Sequence, residues 1–277
     1  DDWAGLLYRI HSNRLAALHS QGIESIPDIP EDFQLPEKQA IALDCIASGE
    51  IWVSDDLKDA ILRFGPPAYY MDFETTAPGI PIYVDTRPYE TVPFQFSVHY
   101  MNDGGALSRT AYLAEGDRHP GREFAEELIK AMDRTDIPVV VYNQSFELGV
   151  LDALRQMFPD LADGIGAIME NVVDLLPLVR DHVCHPGFIT KRSLNAGTYS
   201  IKNVLPALVP SMSYANLEGV AEGGEASRVF AAIAHGAYTG READDYRQQL
   251  LDYCEQDTLA MVEIQRALES LCAPTKT

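Results

Sequence analysis

Asp72 and Glu74 are the first acidic pair whose spacing suggests shared chemistry. They lie in residues 68–75 (AYYMDFET), an aromatic-rich stretch that predicts a β-strand. Because side chains two apart in a strand point to the same face, both carboxylates project together and Phe73 points into the core. A cation between them removes their repulsion, and oxygen ligands suit Mg²⁺ or Mn²⁺ better than zinc. Alone, a D-x-E pair is more often a solvated strand end.

Glu147 closes a second candidate segment, residues 143–147 (NQSFE). This segment follows a continuous apolar run at 137–142 (IPVVVY), which predicts a buried strand. In open α/β sheets, ligands bind where strands end at their carboxyl side. A helix cap at Asn143 or Ser145 is the purely structural interpretation of this segment. In the functional interpretation, Phe146 anchors the turn and Glu147 faces the crevice.

Tyr253 and Asp257 form a third candidate pair on a long predicted helix, residues 243–271. Positions i and i+4 share one face of a helix, so the phenol and the carboxylate point to one place. The phenol can orient a water molecule and the carboxylate can hold a metal ion. Taken alone, this pair also fits an ordinary amphipathic helix.

The elements around these residues predict an α/β fold with a mixed sheet flanked by helices. Gly65-Pro66-Pro67 marks a boundary between a helical segment at 1–65 and a larger domain at 66–277. In the larger domain, three strands are predicted at 68–75, 93–100 and 107–113. A helix at 122–132 and a strand at 137–142 follow. The remaining predicted elements are mostly helices, after 148, at 200–208 and at 243–271.

The three segments in this order, D-x-E, N-x-x-F-E and Y-x-x-x-D, resemble the DnaQ-like 3′–5′ exonuclease superfamily, in its tyrosine-bearing DEDD branch. The resemblance covers about residues 66–272 and implies an RNase H-like fold. The chain also resembles a narrower, poorly characterised bacterial family, often found C-terminal to a RecB-like nuclease domain. Segments that carry the narrower resemblance are VDLLP at 173–177, HP at 185–186, SIKNVLP at 200–206 and LLDYCEQDTLAMV around Tyr253.

The resemblance implies a two-metal mechanism of phosphodiester hydrolysis on single-stranded DNA or RNA. Asp72, Glu74 and Asp257 would bind one Mg²⁺ or Mn²⁺, with Asp72 bridging to a second. Glu147 would reach the second ion through a water molecule, and Tyr253 would orient the attacking water. The superfamily usually has aspartate where this chain has Glu147, and the longer side chain puts full activity in doubt because Mg²⁺ geometry is strict. Asp174 is an alternative acid.

Substrate contacts are predicted at Asn143 and Phe146 in the second motif, and at His185 and Lys202 in the segments of the narrower resemblance. Lys191 and Arg192 are further basic candidates, with a solvated loop as the competing interpretation. The segment HVCH at 182–185, with Cys254, suggests a zinc site, but no paired C-x-x-C or H-x-x-x-H supports it.

Composition sets limits on partners and compartment. The net charge of −21 argues against nucleic-acid binding, although a local basic strip and bound divalent ions can reverse the local field. The 4 cysteines form no disulfide pattern, which favours a reducing, cytoplasmic setting. No apolar run approaches a membrane span. Because the first residue is Asp1, we expect the chain to be part of a longer protein, whose upstream RecB-like domain is a possible partner.

Two other functions fit the same residues. A catalytically weak or inactive exonuclease-fold module would bind protein or nucleic acid without cleaving it. A metal-dependent endonuclease of the wider RNase H-like class would use the same strand and acids. Metal-dependent stabilisation separates the first from an enzyme, and a circular single-stranded substrate separates the second from an exonuclease.

Overall fold

The computed structural model describes residues 3–30, 32–189, 198–214, 219–220 and 222–273. Its packing divides the chain into two compact units. The first contains Asp1–Leu62, Leu176–Ser213 and Glu263–Thr277, and the second contains Arg63–Leu175 and Tyr214–Val262. The sequence-based boundary near residue 65 stays a prediction, because packing does not test which segments fold on their own.

Strands and helices are mixed along the chain. Within the described residues, the strands are β1 (Trp52–Val53), β2 (Ala68–Thr76), β3 (Val92–Met101), β4 (Leu107–Leu113), β5 (Val139–Val141), β6 (Val172–Asp174) and β7 (Val183–Cys184). The helices are α1 (Ser12–Ser20), α2 (Glu37–Ser48), α3 (Leu57–Ala60), α4 (Gly121–Ala131), α5 (Ser145–Met157), α6 (Ala162–Glu170), α7 (Leu175–His182), α8 (Ile201–Leu208), α9 (Gly223–Ala234) and α10 (Arg241–Leu271). In the parts of the chain that are described, no helix is both long and apolar enough to cross a membrane.

The second unit contains a five-stranded mixed sheet in the order β4-β3-β2-β5-β6. Strand β2 pairs antiparallel with β3 and parallel with β5, and β5 pairs parallel with β6. The prediction of an α/β fold with a mixed sheet flanked by helices is therefore confirmed. Because β2, β5 and β6 are parallel, their carboxyl ends lie at the same edge of the sheet, where ligands bind in such folds.

The sheet has one apolar face and one largely polar face. Tyr69, Met71 and Phe73 of β2 belong to a core cluster that includes the buried hydrophobic residues of α4, α5 and α6. The alternate residues Asp72 and Glu74 pair with Ser97 and Gln95 of β3 and so project from the opposite face. The strand period therefore places both carboxylates away from the apolar core, as predicted.

The polar face is joined to α10 by buried hydrogen bonds. The Thr258 hydroxyl lies 2.9 Å from Ser97 Oγ and 2.8 Å from His99 Nδ1. Gln95 Nε2 donates to the Leu250 carbonyl at 2.7 Å. Burial, with help from the nearby Arg109, lowers the pKa of His99 to about 4, so this imidazole is neutral at neutral pH. This network fixes where α10 packs on β3, the strand that pairs with Asp72 and Glu74 of β2.

Helices α6 and α9 are among the elements that were not predicted from the sequence. Helix α6 contains Gly164 and Gly166, which lower its helix propensity. Helix α9 begins with Gly223 and Gly224, and glycine is a poor helix former. Tertiary packing stabilises both: Ile165 and Ile168 of α6 join the core, and Phe230 of α9 stacks on Phe94 with ring centroids 4.0 Å apart.

Candidate metal centre

Three carboxylates converge at one point of the second unit. Asp72, Glu74 and Asp257 each offer an oxygen that lies within 4.8 Å of the others. Glu74 is buried, and Asp72 and Asp257 are partly buried. A shift in the pairing of β2 with β3 falls between Glu74 and Thr75, and such irregularities often lie beside functional sites. Among the described residues, this is the only group of three or more potential metal ligands.

The carboxylates of this cluster are like charges that lie close together. Burial raises the pKa of Asp72 well above its usual range, and the neighbouring Asp257, Glu74 and Glu147 carboxylates raise it further. Bringing these groups together without a cation therefore costs free energy. A divalent cation would offset that cost, and the donor set is made of oxygens, which suits Mg²⁺ or Mn²⁺. The residues present thus fit such an ion.

Glu147 lies near the same cluster but is not part of the 4.8 Å group. The residue is 3% exposed, and its Oε2 is buried without a hydrogen-bond partner among the described residues. Burial raises the pKa of Glu147 to about 8, and the Asp174 carboxylate adds to the shift. A buried carboxylate oxygen without a partner is rare in folded proteins. This oxygen is an acceptor to which a ligand could bind, in addition to the three converging carboxylates.

Tyr253 and Cys254 complete the surroundings of the acids. Tyr253 is 4% exposed, and burial together with Asp257, Glu74 and Asp72 raises its pKa. The Cys254 thiol lies 3.7 Å from the backbone carbonyl oxygen of Asp72 and 3.8 Å from its Oδ2. The helical spacing therefore brings the phenol to the carboxylates, and both groups remain protonated at neutral pH, because burial raises the pKa of Cys254 as well.

The turn before α5 is held by a residue other than the two predicted caps. Asp174, at the end of β6, accepts hydrogen bonds from the backbone amides of Asn143 at 2.9 Å and Gln144 at 3.1 Å. The expectation that Asn143 or Ser145 caps α5 is wrong, because the N-cap position falls on Gln144, whose side chain makes no capping bond. Asn143 instead adopts a positive φ of 80°, which asparagine tolerates better than most residues.

Replacing Asp174 with alanine is expected to lower the free energy of unfolding by about 1–2 kcal/mol, because two backbone amides lose their acceptor. Equilibrium urea unfolding measures this change. Asp103→Ala, at an exposed position in the turn between β3 and β4, is the matched control. Equal unfolding midpoints for the two variants would show that the Asp174 carboxylate does not stabilise the turn.

Phe146 does not anchor the turn, contrary to expectation. The ring is 42% exposed, because Glu147, Leu151 and Leu154 form the buried stripe of α5 and Phe146 lies outside it. It lines a groove of about 480 Å³ along the exposed side of α5. The groove is also lined by Thr91, His119, Ser145, Gly149, Ala153 and Met157. The predicted substrate contacts of Asn143 and Phe146 remain predictions.

The other predicted contact residues lie in the first unit or outside the described residues. His185 Nδ1 accepts a hydrogen bond from the Gly187 backbone amide at 2.8 Å, which stabilises a short turn. Lys202 lies in α8 and is partly buried. Both stay predictions as substrate contacts. Lys191 and Arg192 lie outside the described residues.

The HVCH segment does not form a zinc site within the described part of the chain, where potential metal ligands converge only at the acidic cluster. Cys184 is buried, as expected of a small apolar group, and its backbone carbonyl accepts a hydrogen bond from the Cys45 thiol at 3.4 Å. Cys184 therefore packs as an ordinary buried side chain of the first unit.

Tyr214 is a residue of the site that the sequence analysis did not identify. Its hydroxyl donates a hydrogen bond of 2.5 Å to Asp257 Oδ1, and the residue is 6% exposed. Tyr214 lies 43 residues before its partner and belongs to none of the three motifs. No spacing rule connects the two positions, so only the tertiary structure reveals the contact.

Comparison with known proteins gives one partial match. Residues 69–193 match the model of a family described as a domain of unknown function (DUF2779), over less than half of the chain. The matched segment includes Asp72, Glu74, Glu147 and Asp174, and it ends before Tyr214 and the residues of α10. No curated protein and no solved structure shows significant similarity to the chain.

Proposed function

We propose that this chain is a metal-dependent 3′–5′ exonuclease that hydrolyses single-stranded nucleic acid, with the RNase H-like fold of the DnaQ-like superfamily. The observation that carries the proposal is the convergence of Asp72, Glu74 and Asp257 from three sequence positions to within 4.8 Å. The D-x-E, N-x-x-F-E and Y-x-x-x-D motifs supply the acids in the order that the resemblance implies. The mixed sheet flanked by helices agrees with that fold.

The acids would divide between two divalent ions, Mg²⁺ or Mn²⁺. Asp72, Glu74 and Asp257 would hold the first, Asp72 would be shared with the second, and Glu147 would reach the second through water. Bound ions of this kind promote attack by water on a phosphodiester and stabilise the leaving oxygen. The unpartnered Oε2 of Glu147 is consistent with a ligand on that side of the site.

Tyr253 would orient the attacking water. Because burial and three carboxylates raise its pKa, Tyr253 is a neutral phenol at neutral pH. It can therefore hold the water by hydrogen bonding but does not remove its proton as a phenolate. Asn143 and Phe146, at the start of α5, would contact the terminal nucleotide, since Phe146 offers an exposed aromatic surface on which a base can stack.

The test uses single-stranded DNA and RNA labelled at either end, with Mn²⁺, Mg²⁺ or EDTA, beside an Asp257→Asn control. A 5′-labelled strand should shorten progressively, and a 3′-labelled strand should release a labelled mononucleotide from the start. Both reactions should require the metal and be absent in the control. The preferred strand would also identify the substrate as DNA or RNA.

Two other results would contradict the exonuclease proposal. Cleavage of circular single-stranded DNA would indicate an endonuclease, because an exonuclease needs an end. Absence of cleavage with either metal would favour a module that binds without cutting, an outcome compatible with glutamate at position 147 and with the net charge of −21.

A further inference from the structure

The hydrogen bond between Tyr214 and Asp257 links a residue outside the motifs to a proposed metal ligand. The phenol donates to Oδ1 at 2.5 Å, a short distance typical of a hydroxyl bound to a carboxylate. Tyr214 is 6% exposed, so the contact is shielded from solvent. Such a contact limits rotation of the Asp257 side chain.

This bond holds one oxygen of the Asp257 carboxylate and so limits how the whole group can turn. Partners that hydrogen-bond to metal-binding side chains orient them, and their removal typically lowers metal affinity about 10–100-fold. Asp257 is one of the three residues whose carboxylate oxygens converge, so its orientation affects the geometry of the whole metal centre.

We infer that Tyr214 is a positioning residue of the metal centre, which holds the Asp257 carboxylate by Oδ1 in the orientation that the ion needs. This inference rests on the proposed function, since it needs a divalent ion at the acidic cluster. The proposed role differs from that of Tyr253, which would act on the attacking water. The two tyrosines should therefore affect different steps.

The experiment measures Mn²⁺ affinity by isothermal titration calorimetry and, separately, the rate of nucleotide release as a function of Mn²⁺ concentration. Tyr214→Phe keeps the ring and removes the bond to Asp257. It should weaken Mn²⁺ binding about 10-fold or more, with activity that recovers at saturating Mn²⁺. Tyr253→Phe should leave Mn²⁺ affinity within about 2-fold and lower the maximal rate at saturating metal.

Tyr83→Phe is the matched control, because the buried Tyr83 hydroxyl has no hydrogen-bond partner among the described residues. This variant should bind Mn²⁺ with the wild-type affinity. Circular dichroism and urea unfolding would show whether each variant is folded. A folded Tyr214→Phe protein with unchanged Mn²⁺ affinity would overturn the positioning role and leave the proposed function intact.

Two further results separate the inference from the proposed function. If the wild-type chain binds Mn²⁺ but releases no nucleotide, weaker binding by Tyr214→Phe would still support the positioning role while the exonuclease proposal fails. If the wild-type chain binds no Mn²⁺, both are overturned together.

Discussion

Replacing Asp72 with asparagine is expected to lower the rate of Mn²⁺-dependent nucleotide release by about 10³-fold or more, which corresponds to about 4 kcal/mol of activation free energy. The neighbouring Asp257, Glu74 and Glu147 carboxylates all raise the pKa of Asp72, so this residue lies at the centre of the acidic cluster. It is also the residue proposed to be shared by both ions. Single-turnover release from a 3′-labelled strand measures the effect.

The substitution is a good test because it should not unfold the protein. Asparagine has nearly the same shape as aspartate, and removal of one of several like charges favours the folded state when no metal is present. Asp103→Asn, at an exposed turn position, is the control that should keep wild-type activity. Wild-type rates in a folded Asp72→Asn protein would mean that cleavage does not depend on this cluster.

Replacing Glu147 with glutamine is expected to change stability in opposite directions with and without metal. In EDTA at pH 8, the variant should be about 2 kcal/mol more stable than the wild type, because it buries a neutral amide instead of an ionisable carboxyl without a partner. With saturating Mn²⁺ the wild type should gain more stability than the variant, because binding to the folded state at about 100-fold excess over Kd contributes about 2.7 kcal/mol. Urea unfolding under both conditions measures the reversal.

The pH dependence of this difference follows from the raised pKa of Glu147. Burial raises that pKa to about 8 in the folded chain, from 4.5. Between these values the folded state binds more protons than the unfolded state, so the contribution of Glu147 to stability falls as pH rises. The advantage of Glu147→Gln in EDTA should therefore be small near pH 4.5 and increase toward pH 8.

Glu127→Gln is the matched control for this experiment, since the Glu127 side chain is 44% exposed. Glu127→Gln should have neither the higher stability in EDTA nor the reversed stability difference with Mn²⁺ that are expected for Glu147→Gln. A Glu147→Gln protein whose stability equals that of the wild type at both pH 4.5 and pH 8 would show that the buried carboxylate has a partner at this site.

Several features of the candidate site could be predicted from the sequence because they depend on short-range periodicity. The two-residue period of a strand places Asp72 and Glu74 on one face and Phe73 in the core. The apolar run before residue 143 predicts a buried strand followed by a helix, and the structure has β5 and α5 there. The spacing of Tyr253 and Asp257 predicts that both side chains point to the same place, and in the structure both lie near Asp72 and Glu74.

Features that depend on distant segments could not be predicted in this way. Asp174 caps the turn at Asn143 because parallel pairing places the end of β6 beside the end of β5. The exposure of Phe146 depends on which stripe of α5 packs on the core. Helix α9 forms in a glycine-rich segment because Phe230 stacks on the sheet.

Local sequence patterns were enough to establish the types of chemical group and their local faces: acids on one side of a strand, an acid at a strand end, and a phenol with an acid on one helix face. Which of these groups meet, to within 4.8 Å, and the contact of Tyr214 with Asp257 became evident from the folded chain. The physical reason is that local periodicity sets the direction of a side chain, whereas the distance between remote side chains depends on strand pairing and on buried contacts such as those of Thr258.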